Sequence, residues 1–223
     1  MQRRYTLYLF LIVGLLVQVI TFILVPGHPI SLISGMLGIC SVVLGAQGNI
    51  LTFVFGFAQV GTYSFLCWQE RFYAELLMNV YYFFTMIYGV YVWRKQLNPQ
   101  SHHGLEVRTR QLPLSIIALV LVGSGVVSLI VGWALQRYTD DSQPYLDAFT
   151  TVPAFVAQIL MVLVYREQWY IWLLVDVLAT IMWFQAGNYC MAAQYIFWCA
   201  NCVYGYVQWT RKVEVENSAK IVE

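Results

Sequence analysis

Five residues of one apolar stretch, "WYIWLLVDVLATIMW", carry most of the chemistry this chain could do: Trp169, Trp172, Asp176, Thr180 and Trp183. At about 100° per residue they fall on one helical stripe roughly 80° wide. At about 1.5 Å per residue that stripe is about 21 Å long, much of the thickness of a membrane. An indole face attracts a cation by about 0.5 to 2 kcal/mol, more where water is excluded. A carboxylate on the same stripe adds a full counter-charge. The expected ligand is flat, ring-bearing, and neutral or positive. Two blander readings stand beside this one. Asp176 could be protonated, or bonded to a neighbouring hydroxyl, and simply join two helices. Trp169, near the end of its run, could belong to the indole belt of a membrane interface. Against the first stands its cost: a carboxylate at the centre of a membrane helix costs roughly 2.5 to 3.5 kcal/mol on insertion scales, so by default it faces the bundle interior and serves a function.

The stripe needs a membrane-embedded bundle to hold it, and the composition supplies one. Apolar residues make up 60% of the 223 and charged residues only 10%, far from the roughly 25% charged of globular domains. Apolar runs recur at about residues 5 to 25, 30 to 48, 50 to 68, 72 to 93, 113 to 135, 145 to 165, 168 to 186 and 189 to 209. Each is close to the ~20 residues that an α-helix needs to cross the hydrocarbon, and the alternating segments of a membrane barrel are absent. The reading is an all-α integral membrane protein of about eight transmembrane helices. The first run follows Arg3 and Arg4 but is too long for a leader and lacks a small-residue cleavage site, so it is expected to remain as a helix. With the N-terminus inside, ten basic residues fall on the cytoplasmic side (Arg3, Arg4, Arg94, Lys95, Arg108, Arg110, Arg166, Arg211, Lys212, Lys220) and two, Arg71 and Arg137, outside. That split places both termini in the cytoplasm. The basic residues are topology signals, and the net charge of +1 gives no reason to expect a nucleic acid.

Other chemistry is weakly signalled. The pair in "CANC", Cys199 and Cys202, lies on a membrane helix, where small packing residues are the expectation. Cys40, Cys67 and Cys190 also lie in or beside helices, and His28, His102 and His103 sit in loops, so no metal or haem site is indicated. No P-loop is present, and no cofactor is expected. An enzyme would need a nucleophile with a base, or a metal, within reach; one buried carboxylate does not provide that.

The polar stretch "RKQLNPQSHHGLEVRTRQ" divides the chain into similar halves. Tyr73, Tyr88, Gly89 and Trp93 match Tyr189, Tyr204, Gly205 and Trp209 without a gap, and one extra linker residue would set Gln59 on Asp176 and Tyr63 on Thr180. Helices two to four then repeat as helices six to eight in the same orientation, with helix five inverting the path between them and helix one outside the core. The expected organisation is residues 1–29 (first helix and loop), 30–95 (first three-helix repeat), 96–144 (cytoplasmic loop and connector helix), 145–212 (second repeat) and 213–223 (tail). Gln59, Tyr63, Asn79, Thr85, Gln158, Gln194 and Asn201 could bind hydroxyl groups or bridge helices. Glu75 and Asp147 read as solvated helix ends. No lysine or arginine lies deep in a run, so an anionic substrate would find no fixed partner.

This three-plus-one-plus-three parallel repeat is the layout of SWEET-type transporters. From about Ser34 to Trp209 the residues resemble the PnuC family of bacterial vitamin transporters: "FGFAQV", "FYAELLMNVYYFFTMIYGVYVW", "LDAFTTVPAFVAQILM" and, above all, "WYIWLLVD". The resemblance implies uptake of nicotinamide riboside across the bacterial inner membrane by facilitated diffusion, with the cargo trapped by a cytoplasmic kinase. It implies a pyridine-binding role for Trp169 and Trp172 and a polar partner at Asp176, where the family pattern has Asn or Asp. Asn79 stands where relatives have glutamine, one methylene longer. Gln59, Tyr63 and Asn201 complete the expected substrate set. Other members carry thiamine or riboflavin, and a proton-coupled transporter using Asp176 is a further alternative. A homo-oligomer is compatible with the sequence.

Overall fold

The computed structural model describes residues 2–222 apart from 27, 70–72, 100, 102, 103, 141, 142, 186 and 188; residues 2–4, 73–75, 190 and 215–222 are described by backbone alone. Arg71, His102 and His103 lie outside the described residues, as do the side chains of Glu75 and Cys190.

The described residues form eight helices: α1 (Gln2–Leu24), α2 (Pro29–Ala46), α3 (Thr52–Gln69), α4 (Tyr73–Lys95), α5 (Leu114–Tyr138), α6 (Pro144–Val162), α7 (Gln168–Gln185) and α8 (Tyr189–Val222). α2 and α6 both open with proline at the first turn, where its missing N–H costs nothing. α1, α2, α4, α5 and α6 are long and apolar enough to cross a membrane by composition alone. α3, α7 and α8 fall short because they carry the polar and aromatic residues of the interior, Gln59, Asp176 and Asn201 among them.

The contacts between helices repeat. α2 meets α3 and α3 meets α4, as α6 meets α7 and α7 meets α8; α2 also touches α8, as α6 touches α4. The first helix of each triplet therefore packs on the last helix of the other. Individual bonds obey the same relation. Trp93 Nε1 donates to the Met161 carbonyl at 3.1 Å, and Trp209 Nε1 donates to the Gly45 carbonyl at 3.1 Å. A side chain on Gly89 would collide with Phe53, and one on Gly205 with Trp169. Gln158 Nε2 donates to Thr85 Oγ1 at 3.2 Å, while Asn201 Nδ2 donates to the Val42 carbonyl at 3.4 Å. All of these pairs stand at one constant offset in sequence. The linkers from Gln69 to Tyr73 and from Gln185 to Tyr189 are equally long, so no extra residue intervenes. The twin of Asp176 is accordingly Val60, not Gln59, and the twin of Thr180 is not Tyr63.

The turns after α2 and α6 share a left-handed residue at equivalent positions, Gly48 (φ 66°) and Val164 (φ 61°). A β-branched residue rarely adopts that conformation. Val164 is held there by complete burial and by the chain segment between the halves. That segment is no loose linker. Val107 N donates to the Gly48 carbonyl at 2.9 Å and Arg110 N to the Val164 carbonyl at 2.8 Å, while Arg166 N returns a bond to Arg110 at 3.0 Å. Val107 and Thr109 are buried, Thr109 Oγ1 donates to the Trp209 carbonyl at 3.0 Å, and Glu106 pairs with Lys212 at 2.7 Å. One strap thus ties both turns across one end of the bundle. Gly48→Ala is expected to cost about 1 to 2 kcal/mol, the usual penalty for an L-residue in the left-handed region, visible as a lower Tm in detergent; an unchanged Tm would mean that the turn relaxes freely.

α1 lies against α2 and α8, where Phe10 stacks on Tyr204 with centroids 4.5 Å apart. α5 meets α6 as α1 meets α2.

Candidate substrate site

α7 is two-faced, as its stripe requires. Asp176 and Trp169 are 4% and 6% exposed, and Trp172, Thr180 and Trp183 are partly buried. Tyr170, Leu174, Val177, Ile181 and Phe184 turn outward. The carboxylate faces α8, whose Cys202 thiol donates to Asp176 Oδ2 at 3.2 Å. Thr180 does not bond the carboxylate; its hydroxyl turns back to the Asp176 carbonyl at 2.7 Å, the ordinary bond of a threonine to the preceding turn.

Trp169 occupies the seam between the triplets. Its ring packs on Gly205 and meets Trp209 edge to face at 5.8 Å, and Trp209 meets Trp93 in the same way at 5.8 Å. Trp172 lies over the edge of this cluster, which also contains Phe53, Val60, Met86 and Cys202. Of the two indoles, Trp172 is the more accessible to a ligand. Trp169 is a structural element of the seam.

The remaining expected residues divide. Asn79 is buried on α4. Gln59 and Tyr63 are half-buried on α3, and Gln59 lies near Gly38 of α2. Asn201 is buried and spends its amide N–H on the Val42 carbonyl, leaving Oδ1 without a protein partner. Among the described residues, most buried polar atoms without a partner belong to α7 and α8: both ends of Gln168, the indole nitrogens of Trp169, Trp183 and Trp198, Asn201 Oδ1 and Thr210 Oγ1. Buried polar groups are normally bonded, so this concentration marks α7 and α8 as the helices with hydrogen-bonding capacity to offer. Asn201→Leu removes one such interhelical bond and is expected to lower stability by about 0.6 kcal/mol, the average for membrane helices, measured by detergent unfolding.

Gln168 is the residue that pattern reading missed. Its twin Thr52 bonds Ser41, but the residue equivalent to Ser41 is Ala157, so Gln168 is fully buried with nothing to bond. Only the internal repeat could have flagged it. A groove of about 470 Å³ lies elsewhere, lined by Leu112, Ile117, Leu160, Arg166 and Tyr170, and shares none of the stripe residues. No cluster of His, Cys, Asp or Glu able to hold a metal exists among the described residues.

Glu167 is buried as well, but Arg166 Nε and Leu112 N both donate to its carboxylate at 3.1 Å. A duplicated bundle of apolar helices, with the Asp176 carboxylate and an indole stripe turned inward, defines a multi-pass membrane transporter. The chain belongs to the family described as nicotinamide mononucleotide transporter, which it matches over residues 28–211. It is similar to the nicotinamide riboside transporter PnuC of Haemophilus influenzae, at 31% identity over 205 residues, 91% of this chain and 88% of the relative. It is similar also to the transporter of that name in Neisseria mucosa, at 29% identity over 207 residues, 89% of this chain and 78% of the relative. The crystal structure of the vitamin B3 transporter PnuC superposes with a TM-score of 0.77 at 28% identity, covering 94% of this chain and 92% of that one.

Proposed function

We propose that this protein takes up nicotinamide riboside by facilitated diffusion. The observation that carries the reading is the buried carboxylate of Asp176 on an indole stripe, in a bundle where Arg94 and Lys95 close α4, Arg137 closes α5, Arg166 precedes α7 and Lys212 of α8 is paired with Glu106 of the strap. Such a site suits a pyridinium cation. The same distribution argues against a mononucleotide despite the family's description, because a phosphate would meet a carboxylate and no fixed cation. The names of the similar transporters, which refer to the riboside, support this choice.

In this reading Trp172 and Trp169 hold the ring, Asp176 supplies counter-charge or accepts from a ribose hydroxyl, and Asn79, Gln59, Tyr63 and Asn201 orient polar groups. Residues 30–95 and 145–212 rock against each other, joined by 96–144, with 1–29 and 213–223 outside the moving core. The seam of Trp93, Trp209 and the strap is the interface that would open and close. Both termini and the strap face the cytoplasm of the inner membrane, where a kinase traps the cargo by phosphorylation.

Calorimetric titration and proteoliposome uptake test this directly. Nicotinamide riboside should bind, the mononucleotide should neither bind nor compete, and uptake should be indifferent to a pH gradient. Thiamine binding in place of the riboside would keep the cation site and change the vitamin. Gradient-driven uptake would make Asp176 a proton carrier.

A further inference from the structure

We infer that Cys202 is a positioning residue for the carboxylate of Asp176, holding one oxygen so that the other is presented to the substrate. Three observations lead there. The thiol donates to Asp176 Oδ2 at 3.2 Å, and both side chains are 4% exposed. The first cysteine of "CANC", Cys199, lies one turn earlier beside Thr180, so both members of the pair neighbour the polar stripe of α7, Cys202 doing so from within the buried apolar cluster. The internal repeat supplies the comparison. The twins of Asp176 and Cys202 are Val60 and Met86, which sit together in the buried cluster. The first triplet closes the same helix pair with valine and methionine, so packing demands neither carboxylate nor thiol. The polar pair is where the second triplet departs from its twin.

The choice of a thiol has chemical content. A lysine or arginine at 202 would neutralise Asp176 and compete with a cationic ligand, whereas a thiol is a weak neutral donor. It fixes the carboxylate's rotamer while leaving its charge available. The motif that reads as packing in the sequence thus becomes part of the site's back wall.

The inference rests on the reading of Asp176 as the substrate's counter-charge, so its test has one arm that requires ligand and one that does not. Without ligand, the infrared S–H stretching band of Cys202, assigned by its loss in Cys202→Ala, should move toward that of an unbonded thiol in Asp176→Leu. An unmoved band overturns the inference whatever the substrate proves to be. With nicotinamide riboside, Cys202→Ala should raise Kd and KM about tenfold, the scale of one hydrogen bond to a charged group, with maximal transport rate little changed. Cys202→Ser, which keeps a donor, should recover most of that loss. Equal behaviour of Ala and Ser reduces Cys202 to a packing residue. Failure of the wild type to bind the riboside, with the band shift intact, rejects the substrate and keeps the pair.

Discussion

Asp176→Asn should weaken binding of nicotinamide riboside by about ten- to hundredfold, because a bond involving a charged group contributes about 1.5 to 3 kcal/mol and each 1.4 kcal/mol is a factor of ten. The substitution keeps the shape, removes the charge and exchanges one acceptor oxygen for an N–H donor, so the counter-charge role is read from the loss for a cation relative to that for an uncharged ligand. The uncharged dihydro form of the riboside provides the control. It should bind the wild type less tightly than the oxidised form and should hardly distinguish wild type from Asp176→Asn. Calorimetry on the two ligands and two proteins gives a cycle. Parallel losses for both ligands would assign Asp176 to a ribose hydroxyl, and no loss for either would leave it a helix-joining residue. Trp172→Ala belongs to the same experiment: loss of one indole face should cost about 1 to 2 kcal/mol for the cation. Cooperation between the two residues through one pyridinium should appear as non-additivity in the double variant.

Trp209→Ala should destabilise the protein by about 3 to 5 kcal/mol, the usual cost of emptying a large aromatic site in a packed core. Trp209 is fully buried, meets both Trp93 and Trp169 edge to face, and donates to the Gly45 carbonyl across the seam between triplets. Its twin Trp93 is equally buried, meets Phe53 at 5.0 Å and donates to Met161. Trp93→Ala should therefore cost a similar amount of stability. The two variants should part company on binding. Of the two, Trp209 is the one that meets the ring of Trp169, so Trp209→Ala should also reduce riboside affinity, while Trp93→Ala should leave the affinity of the folded fraction near the wild-type value. Thermal unfolding in detergent, paired with calorimetry below the transition, separates the two effects. Equal affinity losses would show that the four-ring cluster transmits strain as a unit, and no stability loss in either variant would mean that lipid or detergent fills the space.

Much of this was already legible in the amino-acid sequence. Helix count and approximate boundaries follow from run length, because a chain in hydrocarbon must satisfy its backbone internally and has little alternative to a helix of about twenty residues. The inward stripe of α7 follows from helical periodicity, and the similarity of the halves from Tyr73, Gly89 and Trp93 with their counterparts. Those properties are local or periodic along one helix. Contacts between helices are not, because in a chain this apolar nearly every face looks alike. Only the tertiary structure set the register that makes Val60 the twin of Asp176, since the clue lies in equal linkers and repeated bonds rather than in side-chain polarity. It alone turned Cys202 from a packing residue into a donor to the carboxylate, and Trp169 from an interfacial indole into part of a seam. It also made a strap of the polar segment between the halves, whose bonds are to backbone carbonyls of distant turns. Composition cannot report such bonds, because every residue but proline carries the same donor and acceptor.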